Sequence, residues 1–580
     1  MKTRLSVPVL ILQAFFLTLV SALGPAIFLY VPVPANTASL RPLERNLVSL
    51  SIQARDFTTF AKTDLLKNFL GALSVNIRTH HTLRLGGAES DKTIYNPAGT
   101  ITPEQYMNGN YGGSPQNVTI GPNYFAAIKG HYASSTKLIW TLNLRNVVNN
   151  WEAGISTAQG VLKYLGSQLE YFEIGNEADA YGLKGWRDQT WNVAEMALQW
   201  KWIAEQVQQF NQSVNFGAGA FANIPPNVIG NFDIPGVINA GIKGPNIPWY
   251  NMHLYPQSGC ANAAVNLETL LRHDVLDNTL SGYIPQVAAA ENAGAKFAMG
   301  ETNSVSCSGR AGVSDTLASA LWLVDYALLG ASLGIRRAFF HTTPNGAYSA
   351  VIPKPYKQKT ATYSGGFLPL AYGAYFVSEI LSSENTLHVQ PIQYGSDTDH
   401  SSYAIWDDKN NLKKLVFINL EMYNSSTGAS NPAMPDSPVY PSTAARGSTR
   451  VFVATPWGLG EKLSLIRLQG PGSNAKSMVN VSDFTFSTED GTVQSNVVDT
   501  ILTVQADGFV IFDVNASEAV LIQHYSDVVA NPHPTKSLST PATTVVDGVT
   551  MITRGATSPP ATSAGAGAPL ISAIISIGLK

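Results

Sequence analysis

The stretch LEYFEIGNE, residues 169–177, is a short β-prone run that ends on an amide and a carboxylate, Asn176 and Glu177. Such a run is typical of a strand buried on both faces of a sheet. Similar runs occur across residues 44–350: RNLVSLSIQ, TLRLGG, KLIWTLNLR, VNFGAGAFA, YNMHLYP, KFAMGETN and RRAFFHTT. Helix-like stretches, such as residues 190–210 and 312–334, lie between them. This alternation predicts an α/β protein whose residues 44–350 form a (β/α)8 barrel.

The helical period disappears after residue 360. The chain then shows short alternating strands separated by turn-rich gaps, among them SSYAIWDD, KKLVFINLEMY, TRVFVATPW and KLSLIRLQ. Strands of this length and spacing predict an antiparallel β-sandwich domain over residues 360–527. Residues 23–43 precede the first barrel strand, and we expect them to add an edge strand to that sandwich.

The overall charge excludes one class of partner. The chain has 580 residues, of which 13% are charged, and a net charge of −3. A nucleic-acid binder normally shows a basic face, so no nucleic-acid partner is expected. No Cys/His cluster has metal-ligand spacing, and we expect neither a metal site nor a cofactor. The composition suits a globular protein whose partners are uncharged, amphipathic or sugar-like, and we expect a monomer.

The N-terminus predicts export. Residues 1–22 begin with Lys2 and Arg4, continue as an apolar run and end on the small-residue site Val20-Ser21-Ala22, as a cleaved signal peptide does. A retained signal anchor is the alternative, but the run is short for a membrane span. In a secreted chain, Cys260 and Cys307 are expected to form a disulfide. Glycosylation is predicted at the sequons of Asn117, Asn211, Asn424, Asn480 and Asn515.

The C-terminus has a different composition. Residues 531–580 are rich in Ser, Thr, Pro and Ala and have no periodic apolar face, which predicts a stalk without a packed core. The chain ends in PLISAIISIGLK, a short apolar tail. Small residues near Gly555, a polar spacer and this tail resemble a GPI-attachment signal, which would place the protein at the cell surface. A simple disordered terminus is the alternative.

Two carboxylates are candidate catalytic residues. Glu177 and Glu301 each end an apolar run, at the carboxyl ends of predicted strands four and seven, where barrel enzymes carry their catalytic residues. Barrel closure would bring them across one cavity. Glycoside hydrolysis requires such a pair: one acid protonates the leaving oxygen, and the other meets the oxocarbenium-like carbon. Either glutamate alone would fit an ordinary helix-capping or loop carboxylate. Metal binding is the other interpretation, which the lack of a histidine at ligand spacing disfavours.

The motifs LRLGG, EIGNEAD, HLYPQSGC, MGETNSVSCSG and GVSDTLASALW resemble glycoside hydrolase family 79, which includes β-glucuronidases and heparanase-like enzymes. The resemblance runs over roughly residues 26–525. It implies that Glu177 is the general acid/base, that Glu301 is the nucleophile and that Asn176 bonds the sugar 2-hydroxyl. Ala178 stands where a proline often follows the acid, a departure that changes the turn's rigidity but no ionisable group.

The resemblance also implies contacts for the carboxylate of a glucuronide. Ser308 and Gly309 follow the predicted nucleophile in a loop whose backbone N–H groups can cradle an anion, and Tyr348 follows strand eight. Arg310 would add charge, although a solvated loop arginine is the alternative. Tyr255 ends strand six and resembles the clan's aromatic neighbour of the nucleophile, against the alternative of a packing tyrosine.

Other residues near the strand ends have two interpretations. Arg84 and Gly86 end strand two, and Arg84 is a candidate to hold the nucleophile ionised, equally a buried structural ion pair. His253 and His341 are interpreted as core histidines. The Cys260–Cys307 disulfide would fix the carboxylate-reading loop.

The favoured function is a secreted, exo-acting, retaining β-glucuronidase that works through a covalent glycosyl-enzyme. One alternative is an endo-acting heparanase-like or other β-glycosidase on cell-wall polysaccharide or proteoglycan, although few Lys/Arg clusters are visible. The other is an inactive carbohydrate-binding surface protein, which two intact glutamates disfavour.

Overall fold

The computed structural model describes residues 26–61, 63–99, 118–145, 151–392, 398–530, 542–546 and 549–553. The predicted signal peptide, the Asn117 sequon and the apolar C-terminal tail lie outside these residues. Within them, no helix has the length and apolarity that a bilayer crossing needs.

Eight parallel strands form a closed barrel. Their bounds are β1 Val48–Ile52, β2 Thr82–Leu85, β3 Lys137–Leu142, β4 Leu169–Ile174, β5 Phe216–Phe221, β6 Trp249–Leu254, β7 Lys296–Thr302 and β8 Ile335–Thr342. Each strand pairs with its sequence neighbour, and β8 pairs with β1 to complete the ring. Their residues are almost all buried because side chains fill the barrel inside and helices cover it outside. The predicted barrel is confirmed.

The helices alternate with these strands or follow them. Their bounds are α1 Ala54–Ala61, α2 Asp64–Ile77, α3 Pro122–His131, α4 Glu152–Leu165, α5 Val193–Gln208, α6 Ile234–Asn239, α7 His273–Ser281, α8 Ile284–Asn292, α9 Leu317–Ser332, α10 Pro369–Leu381 and α11 Tyr525–Ala530. Helix α9 is apolar all round and buried along nearly its whole length, as a helix covered on every side must be.

The C-terminal strands form two packed sheets. Their bounds are β9 Leu387–Pro391, β10 His400–Asp407, β11 Leu412–Asn419, β12 Ser448–Ala454, β13 Lys462–Gln469, β14 Val498–Thr503, β15 Phe509–Asn515 and β16 Glu518–His524. The larger sheet has the antiparallel order β9-β10-β11-β16-β13-β14, and Arg41–Pro42 lies at its β9 edge. In the smaller sheet β12 lies between β15 and the parallel edge strand Ala26–Tyr30. The predicted sandwich architecture is confirmed.

Alternation along β10 shows how the two domains join. Tyr403 and Ile405 belong to the core shared with the barrel, whereas Ala404 and Trp406 belong to the core between the two sheets. Successive side chains of a strand point to opposite faces, so one sheet closes both cores. The sandwich is therefore fixed to the barrel by apolar packing.

Smaller elements complete the described chain. Short strand pairs are Thr93–Tyr95 with Val118–Ile120, Gln257–Ser258 with Val305–Ser306, Val351–Ile352 with Gly366–Phe367, Tyr356–Gln358 with Ala361–Tyr363, and Thr485–Phe486 with Val493–Ser495, and Asn480–Val481 pairs with β13. Single 3-10 turns are Thr37–Ser39, Ser90–Lys92, Ala178–Ala180, Cys260–Asn262, Glu268–Leu271 and Ala506–Gly508.

The predicted stalk contains a hairpin that composition did not indicate. Strands β17 Ala542–Val546 and β18 Val549–Thr553 pair antiparallel, and β18 extends the larger sheet beside β14. The sequence explains this hairpin, because β-branched Thr and Val residues flank an Asp-Gly dipeptide, which is a strong hairpin signal. The expectation of a structureless stalk is wrong for these ten residues.

Candidate active site

The turn after β4 presents Glu177. The strand ends at Ile174, and Gly175 then takes a φ of +83°. Glu177 itself is left-handed, with φ 51° and ψ 52°, and its backbone N–H donates to the Ala220 carbonyl at 2.7 Å. A non-glycine residue in this region carries strain, and such strain is concentrated at functional sites. The turn thus places the Glu177 carboxylate at the carboxyl end of the barrel strands, beyond the last residue of β4.

Glu301 lies within β7 and both its oxygens accept hydrogen bonds. Arg84 Nη1 donates to Oε2 at 2.9 Å, and the Tyr255 hydroxyl donates to Oε1 at 2.8 Å. His341 Nδ1 lies 3.5 Å from Oε2. Because all these groups are cationic or donors, they favour the ionised carboxylate. The structure therefore brings Arg84, Tyr255 and Glu301 together as predicted.

Arg84 fits both interpretations offered for it. Its side chain is fully buried, and besides Glu301 it donates from Nε to Glu173 Oε2 at 2.8 Å and from Nη2 to Asn176 Oδ1 at 3.0 Å. It is at once a structural ion pair and the partner of Glu301. Gly86 has no side chain to contact a ligand. A Cβ at this position would lie 2.4 Å from the Arg84 guanidinium carbon. Its role is to leave room for that guanidinium.

Glu173 is a buried acid that sequence reasoning passed over. Its Oε2 also accepts from Thr141 Oγ1 at 2.7 Å, and its Oε1 accepts from Asn251 Nδ2 at 3.0 Å. The signal was available, because an acid in the middle of an apolar strand needs a buried partner. Glu173 holds the Arg84 side chain from the side opposite Glu301.

Asn176 is oriented for a ligand. Its Oδ1 accepts from Arg84 and from the Gly87 N–H at 3.0 Å, and its own N–H donates to Asp91 Oδ2 at 3.0 Å. Its Nδ2 is buried and finds no acceptor among the described residues. A buried amide without an acceptor is costly, so a substrate oxygen is its natural partner.

The spacing of the two carboxylates distinguishes two kinds of glycosidase. One oxygen of Glu177 and one of Glu301 lie within 4.8 Å of each other. Retaining glycosidases hold their carboxyl groups about 5–5.5 Å apart, whereas inverting ones leave about 6.5–9.5 Å for a water molecule. The geometry supports direct attack by one carboxylate.

His253 lies in the site and not in the core alone. Its Nδ1 is 3.3 Å from Glu177 Oε1, and its buried Nε2 has no partner in the described chain. His341 likewise contacts Ser51 Oγ at 3.0 Å beside Glu301. The interpretation of these residues as core histidines missed both contacts. The available signal for His253 was its position two residues before Tyr255 in the predicted strand six, which in a regular strand gives both side chains the same face.

Different groups set the pKa values of Glu177 and Glu301. Burial raises the pKa of Glu301, but nearby positive charge and hydrogen bonding outweigh it and lower that pKa to about 2. The groups responsible are, in decreasing order, His341, His253, Arg84 and Tyr255. Burial also raises the pKa of Glu177, yet the hydrogen bond with His253 lowers it overall. Arginine keeps its charge at all working pH values, whereas histidine exchanges a proton.

The contacts of Glu177 and Glu301 explain this difference. In the free protein His253 Nδ1 lies 3.3 Å from Glu177 Oε1, and this contact favours the ionised form of Glu177. Glu301 meets permanent positive charge and stays ionised.

The loop after β7 packs beside Glu301. Cys307, Ser308 and Gly309 have successive positive φ values of 61°, 69° and 80°. A Cβ on Gly309 would lie 2.5 Å from the Tyr348 backbone nitrogen, so only glycine allows this close approach. The ring of Tyr348 stacks with that of Tyr255 at 6.3 Å. Ser308, Gly309 and Tyr348 thus reach the site together.

Arg310 has a different environment from the one expected. Its Nη2 donates to the carbonyls of Gly259 and Ala263 at 3.3 and 3.1 Å. It therefore fastens the loop after β6 to the loop after β7. The Cys260–Cys307 disulfide, with a Cα–Cα distance of 5.3 Å, joins the same two loops.

Glu177, His253 and Glu301 could also be considered as metal ligands, since one donor atom of each lies within 4.8 Å of the others. The sequence argument from a missing histidine does not hold here, because folding brings His253 to Glu177. Both oxygens of Glu301, however, already accept hydrogen bonds, one from the Arg84 cation. A guanidinium so placed competes with a metal ion for the carboxylate.

The sequons are distributed over both domains. Asn211 is exposed after α5, and Asn515 is exposed at the end of β15, where its Nδ2 donates to Glu518 Oε2 at 2.6 Å. Asn424 and Asn480 are half-buried. Glycosylation at these positions stays a prediction.

Comparison with known proteins confirms the family resemblance. Residues 402–521 match the family model described as the Glycosyl hydrolase family 79 C-terminal beta domain. Two curated relatives are named β-glucuronidase. The one from Neurospora crassa is 27% identical over 493 residues, covering 78% of this chain and 87% of its own length. The one from Aspergillus niger is 24% identical over 516 residues, covering 83% and 91%.

Solved structures confirm the fold. A 4-O-α-L-rhamnosyl-β-D-glucuronidase from Fusarium oxysporum 12S, in complex with Rha-GlcA, superposes with a TM-score of 0.70 at 22% identity, covering 86% of this chain and 100% of that chain. A GH51 arabinofuranosidase from Xanthomonas axonopodis pv. citri gives a TM-score of 0.53 at 11% identity, covering 86% and 100%. At these identities the likeness establishes the barrel and sandwich alone.

Proposed function

We propose that this chain, which carries the C-terminal β domain of glycosyl hydrolase family 79, is a secreted, exo-acting, retaining β-glucuronidase. The observation that carries the proposal is the pair of facing carboxylates, with oxygens of Glu177 and Glu301 within 4.8 Å and Glu301 held ionised. The two β-glucuronidase relatives, which align over most of this chain, support the choice of glycone.

The reaction would proceed in two steps. In the first, Glu301 attacks the anomeric carbon while Glu177 gives a proton to the departing glycosidic oxygen, so a glycosyl ester forms as the glycosidic bond breaks. In the second, the now ionised Glu177 takes a proton from water, which displaces Glu301 and releases the sugar with its configuration retained. His253, whose Nδ1 lies 3.3 Å from Glu177 Oε1, would hold the carboxyl group of Glu177 in position. The unpartnered Nδ2 of Asn176 would donate to the sugar 2-hydroxyl.

The uronate carboxylate would bind at the loop beside Tyr348. Within the described residues, no hydrogen bond leaves the backbone N–H groups of Ser308 and Gly309, so they are suited to receive an anion. The Tyr348 hydroxyl lies beside the Ser308 side chain, and burial first and Glu301 second raise its pKa, so the phenol keeps its proton and can donate. The disulfide and Arg310 hold this loop from behind.

A panel of chromogenic glycosides tests the proposal. Wild type is expected to prefer a β-glucuronide over the matching β-glucoside, β-galactoside and β-xyloside. The first product should have the β-configuration by proton NMR, and a 2-deoxy-2-fluoro-β-glucuronyl fluoride should label the peptide that contains Glu301. Glu301→Gln should be inactive on every substrate. Glu177→Gln should keep more activity on a good aryl leaving group than on an oligosaccharide. A preference for a neutral sugar or label on another residue would overturn the assignment.

Exo action and export have their own tests. An exo-acting enzyme should release single uronate residues from the non-reducing end of an oligosaccharide, whereas an endo-acting one should release larger fragments. The leader in residues 1–22 and the Cys260–Cys307 disulfide support secretion. N-terminal sequencing of protein from the culture medium should begin near residue 23. Release of a cell-bound fraction by a phosphatidylinositol-specific phospholipase would support the GPI signal.

A further inference from the structure

The backbone pairing of β4 with β5 stops before it reaches the turn that bears Glu177. The last pair of the parallel ladder joins Glu173 to Gly217. Gly219 and Ala220 then take left-handed φ values of 111° and 57°, so the end of β5 does not continue as a regular strand beside that turn. Contacts of another kind have to join the turn to β5.

Two hydrogen bonds take over where the ladder ends. The Glu177 N–H donates to the Ala220 carbonyl at 2.7 Å, and the Ala222 N–H donates to both carboxylate oxygens of Asp179 at 3.1 Å. In a parallel ladder, one residue binds a carbonyl and the N–H two positions later on its neighbour. Here the main chain of Glu177 binds the carbonyl, and the side chain of Asp179 takes the place of a main-chain acceptor for the N–H.

The other side of the turn is held separately. Trp191 Nε1 donates to the Ala178 carbonyl at 2.8 Å, and the Ala180 N–H donates to the Glu177 carbonyl at 3.0 Å. Neither bond reaches β5. Loss of the Asp179 carboxylate should therefore loosen the turn on the side of β5 without unfolding it.

The surroundings of Asp179 make its hydrogen bond to Ala222 necessary. Burial first and the charge of Glu177 second raise the pKa of Asp179 to about 6, while the Ala222 N–H and the charge of His253 lower it. A carboxyl group placed where burial and a like charge both oppose its ionisation costs free energy unless it is hydrogen-bonded. The fold tolerates this acid beside Glu177 because it joins the turn to β5.

Resting on the proposed glycosidase function, we propose that Asp179 is a positioning residue for Glu177: by accepting from the Ala222 N–H, it holds the turn after β4 against β5. Glu177 has left-handed backbone angles, which persist only where the surroundings impose them. A general acid must lie within about 3.2 Å of the oxygen that it protonates, and a displacement of about 1 Å can cost about 100-fold in rate. Asp179 does not touch the substrate and acts through Glu177.

The first test varies how much the reaction needs the acid. The substrates are the 2,4-dinitrophenyl, 4-nitrophenyl and phenyl β-glycosides of the glycone that the wild type hydrolyses best, because their leaving groups depend increasingly on protonation. Asp179→Ala should lose about 10–100-fold in kcat/KM on the phenyl glycoside but about threefold or less on the dinitrophenyl glycoside, since general acid catalysis contributes about 10²–10⁴-fold. Titration with the 2-deoxy-2-fluoro inhibitor counts the folded active sites in each preparation.

Asp179→Asn is the matched variant. Its side-chain oxygen can still accept from the Ala222 N–H, whereas Asp179→Ala has no acceptor. Both variants remove the charge, so any effect of that charge on the acidity of Glu177 cancels when the two are compared. Asp179→Asn should recover most of the activity on the phenyl glycoside. An equal loss in both variants would overturn the positioning role.

A second control measures the effect of losing a similar bond far from the site. Asp407→Ala removes a carboxylate that accepts two backbone N–H groups in the β10–β11 turn of the sandwich. It should change kcat/KM by the same factor on all three leaving groups. The same uniform change in Asp179→Ala would mean a general loss of structure and would refute the proposal.

A double variant tests whether Asp179 acts through Glu177. On the 4-nitrophenyl glycoside, adding Asp179→Ala to Glu177→Gln should change kcat/KM by less than about twofold, because effects that act through one group are not additive. If Asp179→Ala causes its full loss in the Glu177→Gln background, the residue acts elsewhere and the proposal fails.

Failure of the proposed function has a different signature. If Glu177 is not the general acid, Glu177→Gln itself will show no dependence on the leaving group. If only the positioning role is wrong, Glu177→Gln will show that dependence and Asp179→Ala will not.

Discussion

Replacing Tyr255 by Phe removes one hydrogen-bond donor from Glu301 and leaves the ring in place. The Tyr255 hydroxyl donates to Glu301 Oε1 at 2.8 Å, and the other oxygen of Glu301 keeps its bond from Arg84. A hydrogen bond to a charged group contributes about 1.5–3 kcal/mol. At about 1.4 kcal/mol per pKa unit, its loss should raise the pKa of Glu301 by about 1–2 units.

The expected result is a shift of the acid limb of the pH profile. Glu301, with a pKa of about 2 in the wild type, is about 90% ionised at pH 3, whereas a pKa near 3.5 would leave about 25% ionised. The kcat/KM of Tyr255→Phe, relative to wild type, should therefore fall about fourfold further at pH 3 than at pH 6. Samples held at pH 3 and assayed at pH 6 show whether unfolding contributes.

The thermal stability of Tyr255→Phe should also depend on pH through the ionisation of Glu301. The folded-state pKa of Glu301 is depressed from 4.5 to about 2, so its ionisation stabilises the fold above about pH 4.5 and that contribution is lost as the pH falls towards 2. With a smaller depression, Tyr255→Phe should lose thermal stability relative to wild type above pH 4.5, and the difference should shrink in more acidic buffer. Differential scanning fluorimetry across this range measures it.

Tyr348→Phe is the matched control. Its ring stacks on Tyr255 at 6.3 Å, but its hydroxyl lies beside Ser308. It should raise KM for a glucuronide and leave the acid limb unchanged. An acid limb that does not move in Tyr255→Phe, or that moves equally in both variants, would refute the account of how Glu301 is kept ionised.

Three further predictions follow from the same contacts. His253→Asn removes the hydrogen bond that lowers the pKa of Glu177, so the basic limb of kcat/KM should shift to higher pH; a shift to lower pH would contradict this effect of His253 on Glu177. Reducing the Cys260–Cys307 disulfide should raise KM for a glucuronide severalfold and change a neutral glycoside less, as measured on both substrates before and after thiol treatment. Dialysis against EDTA should leave activity unchanged, because both Glu301 oxygens already accept hydrogen bonds; activity restored only by a divalent ion would favour a metal site.

The sequence predicts the barrel well because each strand carries its own signal. KFAMGETN, residues 296–303, was expected as strand seven, and β7 spans Lys296–Thr302. Buried parallel strands are apolar on both faces, so their runs stand out without tertiary information. The two glutamates are found in the same way, since each interrupts such a run at its carboxyl end.

The partners of those glutamates are harder to predict. His253 reaches Glu177 from β6, and Arg84 reaches Glu301 from β2, across the barrel interior. Chain order does not tell which inward-facing side chains meet, because strand tilt and register shifts decide it. The β6–β7 pairing, for example, shifts register between Met252 and His253. A buried histidine on a barrel strand therefore fits a packing role and a catalytic one equally well in the sequence.

The local charge at the site is also hard to predict from the sequence. A net charge of −3 and few Lys/Arg clusters argue against an acidic polysaccharide as the substrate. Yet Lys92, Arg145 and Lys184 are separated by tens of residues, and the barrel collects them at one sector of its mouth. The field that a substrate meets depends on the charges within about a Debye length, 8–10 Å, and not on their sum over the chain. Since Lys184 lies 3.7 Å from the carboxylate of Glu177, its charge acts directly on that carboxylate. For the charge at this site, the local arrangement outweighs the composition of the chain.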